Sequence, residues 1–366
     1  MKNRWMMTVF AAVLAVGLLC IAILPDQEVS LSERRTLRSF PKLTWNGVFD
    51  GTWTGKLENW LPDQFPARDT FRSAAMLFRT HVLRLSDYNG AYVAQGKIVK
   101  TEYPLRAEAV QKLAQNMERL QDAMFAGCSS YCALIPDKGT FLAAASAHLT
   151  LDFSRMEQIL TENLNHISYI SIKDTLNADS YYDTDIHWRQ EAILPTAQVL
   201  SAGMRSELPE TTYHAYSYTP FYGSYFSQAT GIRAEQLLYL ESETTKDALV
   251  TNLQKPEMHM VYDTATLGGM DSYDVFLSGA TPLITVENAH PAAQVAGKTL
   301  ILLRDSFGSS IAPLLLPAYE KIILVDLRYM PASLLPEYVQ IDNPAATDIL
   351  FLYGAVSANN SEMFRF

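Results

Sequence analysis

Thr299-Leu300-Ile301-Leu302-Leu303-Arg304-Asp305-Ser306-Phe307-Gly308 is the stretch whose reading decides the fold. An aliphatic run with no polar break ends in Arg-Asp-Ser-Phe-Gly, after which apolar residues continue to Leu316. The spacing predicts a strand over 299–303 and a helix over 307–316. Downstream the pattern repeats, with a strand over 322–326, a short helix over 331–339 and a third strand over 348–353. Continuous apolar strands alternating with helices mark a parallel sheet covered on both faces. In such sheets the ligand crevice lies outside the carboxyl ends of the strands. Asp305, Ser306, Arg328, Tyr353 and Gly354 all fall there.

Working toward the amino terminus, Val110, Leu113, Met117, Leu120 and Met124 keep a helical period over 105–125, and 132–135 is a short apolar run ended by Pro136. A helix over 153–167 and a β-branched, aromatic run over 169–172 repeat that unit. Asp185-Ile186-His187-Trp188 reads as the start of a helix toward residue 208, kinked at Pro195. Residues 211–288 change texture to aromatic and turn-rich, as expected of a β-containing insertion. Nearer the start, a helix is expected over 65–85 and an extended pair over 91–99, broken at Gln95-Gly96.

Residues 6–24 contain one hydroxyl, Thr8, and no charge, which at helical rise is close to the hydrocarbon thickness of a bilayer. Lys2 and Arg4 precede the run and Asp26 and Glu28 follow it, so the expectation is a transmembrane signal anchor with the amino terminus cytoplasmic and the rest extracytoplasmic. A cleaved signal peptide is the alternative, with Cys20 and Ala22 as a mediocre cleavage pattern. The chain then divides into a tip and anchor at 1–24, a membrane-proximal linker, helix and hairpin at 25–103, and an α/β domain at 104–366 carrying the insertion at 211–288.

Apolar residues make up 48% of the sequence and charged residues 19%, a composition that buries a core. The net charge of -10, with no basic stripe, argues against nucleic acid as a partner. Cys128 and Cys132 are the cysteines outside the apolar run, and they read equally as a local disulfide or as two thiols. No metal or nucleotide cofactor is expected, because neither ligand spacing nor a phosphate-binding glycine pattern occurs.

A hydroxyl becomes a nucleophile when a base takes its proton and a third group orients that base. Ser306 at a strand-to-helix turn can be that hydroxyl, with backbone N–H groups nearby for a developing oxyanion. Asp185 and His187, two positions apart, can supply the carboxylate and the imidazole. Each also has a plain structural reading: Asp305 or Ser306 as a helix cap, Asp185 as another cap, His187 as a surface residue. His81, His148, His166, His214, His259 and His290 have no comparable neighbour pattern.

Asp-x-His-Trp followed more than a hundred residues later by Asp-Ser-Phe resembles the DHHW protein family, itself similar to the SGNH-hydrolase-like domains of periplasmic alginate O-acetyltransferases. Ser32-Glu33-Arg34-Arg35-Thr36-Leu37-Arg38-Ser39-Phe40-Pro41, Asp63-Gln64-Phe65-Pro66-Ala67-Arg68-Asp69, Ile135-Pro136-Asp137-Lys138, Tyr273-Asp274-Val275-Phe276-Leu277-Ser278-Gly279 and Val325-Asp326-Leu327-Arg328-Tyr329 resemble further family segments. Ile186 stands where the family name has its first histidine, and Arg304 where related hydrolases have glycine.

The resemblance implies an SGNH-like three-layer α/β domain with a parallel sheet and a triad of Ser306, His187 and Asp185. Asp305, Trp188, Arg328, Lys138 and Tyr353 are expected to support the site or line it. The implied activity is acetyl transfer to a surface polysaccharide through an acetyl-serine, with a multi-spanning membrane protein as acyl donor. An esterase of the same fold and a non-catalytic envelope protein that binds polysaccharide are the alternatives.

Overall fold

The computed structural model describes residues 2–30, 33–229 and 233–366, with the side chains of 2–4, 13, 18, 22 and 81 outside that description. Ser32, at the head of one family-like run, is therefore outside the described residues. Two compact units emerge, one of residues 1–89 with 226–231, the other of 90–225 with 232–366. The boundary falls before Gly90, so the hairpin of Ala91–Ala94 and Lys97–Lys100 goes with the α/β unit.

The first unit begins with helix α1 (Lys2–Ile23) and continues through short helices at Trp45–Phe49, Thr52–Asp63 and Arg68–Leu77. Among the described residues no helix is long and apolar enough to cross a membrane. Two of the family-like runs meet here: Arg35 donates to both carboxylate oxygens of Asp63, at 3.0 and 2.5 Å, and Asp63 also accepts from the Arg38 N–H. The Arg35 hydrogen bonds pull the Asp63 carboxyl down to about 2.

The second unit is built on a seven-stranded sheet. Its strands in chain order are β1 (Ser129–Ile135), β2 (Ser168–Tyr169), β3 (Leu249–Asn252), β4 (Leu283–Glu287), β5 (Thr299–Arg304), β6 (Lys321–Val325) and β7 (Thr347–Gly354). Across the sheet they lie in the order β2-β1-β7-β5-β6-β4-β3. The first five run parallel, and β4 is antiparallel to both β6 and β3. Part of the turn-rich stretch expected as an insertion thus extends the main sheet as β3 and β4.

The period of two along each strand divides the core. Leu300 and Leu302 of β5, Leu350 and Leu352 of β7, and Ile322 and Leu324 of β6 face one cluster, which takes in helix α4 (Leu194–Gly203) and helix α5 (Gly308–Leu315). Ile301, Leu303, Ile349, Phe351, Ile323 and Val325 face the other, with α2 (Ala107–Met124) and α3 (Phe153–Glu162). Helices on both faces of a mainly parallel sheet make three layers, as expected.

One element departs from its expectation with consequences for the site. Asp185–Trp188 is not the first turn of a helix. Asp185 Oδ1 accepts the backbone N–H of His187 at 2.9 Å, which bends the chain locally, and Tyr181 pairs with Trp188 in an isolated antiparallel bridge. The helix begins only at Leu194, with Pro195 in its first turn, where its missing N–H costs nothing, so it starts α4 rather than kinking it. The cysteines are free thiols, Cys132 buried on β1 and Cys128 half-buried before it.

Candidate active site

Strands β1, β5, β6 and β7 end at the same edge of the sheet, since Gly354 pairs with Ile135, Arg304 with Leu352, and Leu303 with Val325. Just past β5 the chain turns through Asp305-Ser306-Phe307 into α5. Asp305 builds that turn. Its Oδ1 accepts the Phe307 N–H at 3.2 Å, and its Oδ2 accepts the Gly354 N–H at 2.8 Å, tying the ends of β5 and β7 together. A Cβ at Gly354 would sit 3.1 Å from the Phe307 ring and 3.2 Å from that carboxylate oxygen, so the approach relies on glycine. The N-cap of α5 is Phe307, which makes no side-chain cap, so Ser306 does not occupy the capping position.

The Ser306 hydroxyl instead points to His187. Asp185 Oδ1 lies 2.5 Å from His187 Nδ1, and Ser306 Oγ lies 2.7 Å from His187 Nε2. A carboxylate can only accept, so Nδ1 carries the proton, Nε2 is the acceptor, and the serine hydroxyl donates to it. Asp185 and His187 are buried and Ser306 is half-buried. The structure thus brings together three residues from two distant segments in the order hydroxyl, imidazole, carboxylate.

Asp185 is held from the other side by a loop that sequence reasoning missed. Its Oδ2 accepts the Ser224 N–H at 2.6 Å, while the Gly223 N–H donates to Thr184 Oγ1 at 2.9 Å and the Tyr225 N–H to the Thr184 carbonyl at 2.8 Å. Glu235 completes the cradle, accepting from the backbone N–H groups of Asp183 and Thr184 and from the Thr184 hydroxyl. Burial pushes the Glu235 carboxyl up, against those hydrogen bonds. Gly223 is the only residue type that fits: a Cβ there would lie 2.3 Å from the Thr184 carbonyl oxygen. The Tyr-Gly-Ser-Tyr run within the aromatic stretch was the available signal.

His187 also lies against two aromatic rings. Tyr273 stacks on the imidazole, with centroids 3.9 Å apart and planes 6° from parallel, and Phe307 meets it edge-on at 4.9 Å. Trp188, expected to support the site, is fully buried one residue on and donates its indole N–H to Ser310 Oγ on α5 at 2.8 Å.

The remaining expected residues, Lys138, Arg328 and Tyr353, are engaged in contacts of their own. Lys138 is buried behind the Asp185 loop, where its amine donates to the carbonyls of Tyr182 at 2.9 Å and Asp183 at 3.5 Å and faces the Tyr225 ring. Burial pushes it down to about 8, with the Asp185 charge opposing. Arg328 does reach the end of β6, yet its fork is spent on Asp326, with Nε and Nη2 donating at 2.8 and 2.6 Å. Asp326 also neutralises Arg304, which is fully buried and 3.4 Å away. Tyr353 packs against Phe364 in the core on the α2 and α3 side of the sheet. Among the described residues no cluster of side chains suits a metal ion.

No protein-family model matches the chain, and no curated protein matches it. Solved structures do. The fold is similar to that of a DHHW family protein from Eubacterium siraeum, with a TM-score of 0.62 and 16% identity over 75% of this chain and 93% of that one. It is similar also to PatB1 of Bacillus cereus, at a TM-score of 0.57 and 17% identity over 75% of this chain and 99% of that one. PatB1 with a sulfonyl adduct matches at a TM-score of 0.54, with 17% identity over 73% of this chain and 97% of that one. At these identities the likeness is one of fold, and at that level the expected resemblance to a DHHW protein is found.

Proposed function

We propose that this chain is a membrane-anchored, extracytoplasmic serine acyltransferase that O-acetylates a cell-surface or secreted polysaccharide through an acetyl-serine. The observation that carries the reading is the hydrogen-bond chain from Asp185 through His187 to Ser306, 2.5 and 2.7 Å long, at a strand-to-helix turn that leaves Ser306 half-buried. His187 Nε2 takes the Ser306 proton as Oγ bonds to the acetyl carbonyl carbon, and the imidazolium is held by Asp185. The collapsing tetrahedral intermediate expels the donor's alcohol, which leaves with the proton from Nε2. A sugar hydroxyl then gives its proton to Nε2 and attacks the acetyl-serine, and Ser306 regains a proton as it departs. The amides of Phe307, Gly308 and Ser309 are engaged within the turn, so the N–H of Ser306 itself is the turn's donor to the oxyanion.

The polysaccharide acceptor and a membrane-embedded acyl donor come from the resemblance to alginate-type O-acetyltransferases. The anchor rests on the sequence alone, an uncharged apolar run over 6–24 with Lys2 and Arg4 before it and Asp26 and Glu28 after it. The deciding experiment incubates the protein in detergent with a chromogenic acetyl ester, with and without acetyl-accepting oligosaccharides. Mass spectrometry should find one acetyl group on Ser306 and its passage to sugar. Release to water alone would make the protein an esterase, and a folded protein that never acquires the acetyl group would make it a non-catalytic envelope protein.

A further inference from the structure

Ser310 lies one helical turn after Ser306, and its hydroxyl is fully subscribed. Oγ accepts from Trp188 Nε1 at 2.8 Å and from the Tyr273 hydroxyl at 2.8 Å, and donates to the Phe307 carbonyl at 3.3 Å. A hydroxyl has one proton and two lone pairs, so no capacity remains. The Ser310 carbonyl accepts from Gln190 Nε2 at 2.8 Å. The helix that presents the nucleophile is therefore pinned to the segment that presents the base at Trp188 and Gln190, and to Tyr273 by the same hydroxyl. Tyr273 comes from a third place in the chain, a 3-10 turn at Ser272–Val275, and is itself buried.

We propose that Tyr273, anchored through Ser310, is a positioning residue that sets the plane of the His187 imidazole so that Nε2 faces Ser306; this rests on the reading of the site as an acyl-transfer centre. Hydrogen bonds at Nδ1 and Nε2 still let an imidazole tilt about the line joining them, and the bond at Nε2 is lost once Ser306 is acylated, so a shift of a fraction of an ångström there misdirects the next proton. Tyr273 covers one face of the ring and the edge of Phe307 meets it, which removes the tilt. The face of Tyr273 also lies against the positive charge that the imidazole acquires when it takes the serine proton.

The test uses the full chain in detergent, labelled at histidine, with the His187 signals assigned by their loss in His187→Gln. In the wild type the carbon-bound ring protons of His187 should lie upfield, as a stacked tyrosine requires, and its Nδ1 proton far downfield. Tyr273→Phe keeps the ring but loses the hydroxyl that ties it to Ser310, so it should retain the upfield displacement and lower kcat by about threefold, less than the leucine variant. Tyr273→Leu should lose the upfield displacement and lower kcat by about tenfold or more with KM nearly unchanged. A folded Tyr273→Leu protein with wild-type kcat overturns the proposal. If that variant does not fold, the wild-type spectrum decides alone, because ring protons at ordinary positions exclude the stack. A wild type that shows the stacked imidazole but forms no acetyl-serine sinks the acyl-transfer reading and leaves the clamp in place.

Discussion

At the scale of single residues, Ser306 and its neighbour Asp305 separate chemistry from architecture. Ser306 lies outside the capping position and donates to His187, so Ser306→Ala should abolish acetyl-enzyme formation while lowering stability by no more than about 1 kcal/mol. Asp305→Ala removes the buried acceptor of two backbone N–H groups and should cost about 1–3 kcal/mol, with acyl transfer lowered but measurable. Thermal melts beside the mass shift on residue 306 check both. Lys138 supplies a pH signature. Burial holds its amine at about 8, below the ordinary lysine value of about 10.4, so the unfolded chain binds the proton more tightly between those limits. Stability contributed at this position therefore rises from about pH 8 to about 10.4, by a few kcal/mol at most. Lys138→Met should remove that rise, and denaturant titrations of both proteins at pH 7 and pH 9.5 should show wild type gaining on the variant; parallel behaviour would refute the burial argument.

At the scale of elements, the loop at Gly223–Tyr225 has no room for a Cβ at its glycine. Gly223→Ala drives a methyl into the Thr184 carbonyl and must push the loop off Asp185, so it should cost about 1–3 kcal/mol and weaken acyl transfer together. Normal activity in that variant would show that the Ser224 N–H does not hold Asp185. This loop also marks where the sequence stopped being legible. β5, β6 and β7 could be read because continuous aliphatic runs between helices admit few other packings, and the register then placed Asp305 and Ser306 at the crevice. Asp185–Trp188 was misread as a helix start because an aspartate that caps a helix and one that bends a loop accept the same kind of N–H. Tyr273 falls in a family-like run and Ser310 in an apolar helix, but neither setting says which ring stacks on a histidine far along the chain or which hydroxyl anchors it. Arg328 was placed at the right edge, but Asp326 two residues earlier on the same turn takes its guanidinium.

At the scale of the whole molecule, the proposed reaction and the proposed location stand or fall on different grounds. The site needs only the second compact unit, whereas the proposed anchor rests on the apolar run over 6–24 and its charged flanks. Lys2 and Arg4 before the apolar run, with Asp26 and Glu28 after it, should hold the amino terminus in the cytoplasm and carry Phe366 to the far side. A reporter enzyme that works only outside the cytoplasm, fused after Phe366, should therefore be active, and one that works only inside should be silent. Adding lysines after residue 24 while replacing Lys2 and Arg4 should weaken or invert that pattern, because the charge difference sets the orientation. Should the cytoplasmic reporter be the active one in the wild type, the polysaccharide acceptor loses its basis. The proposed acetyl-serine at Ser306 would then have to serve an acceptor inside the cell.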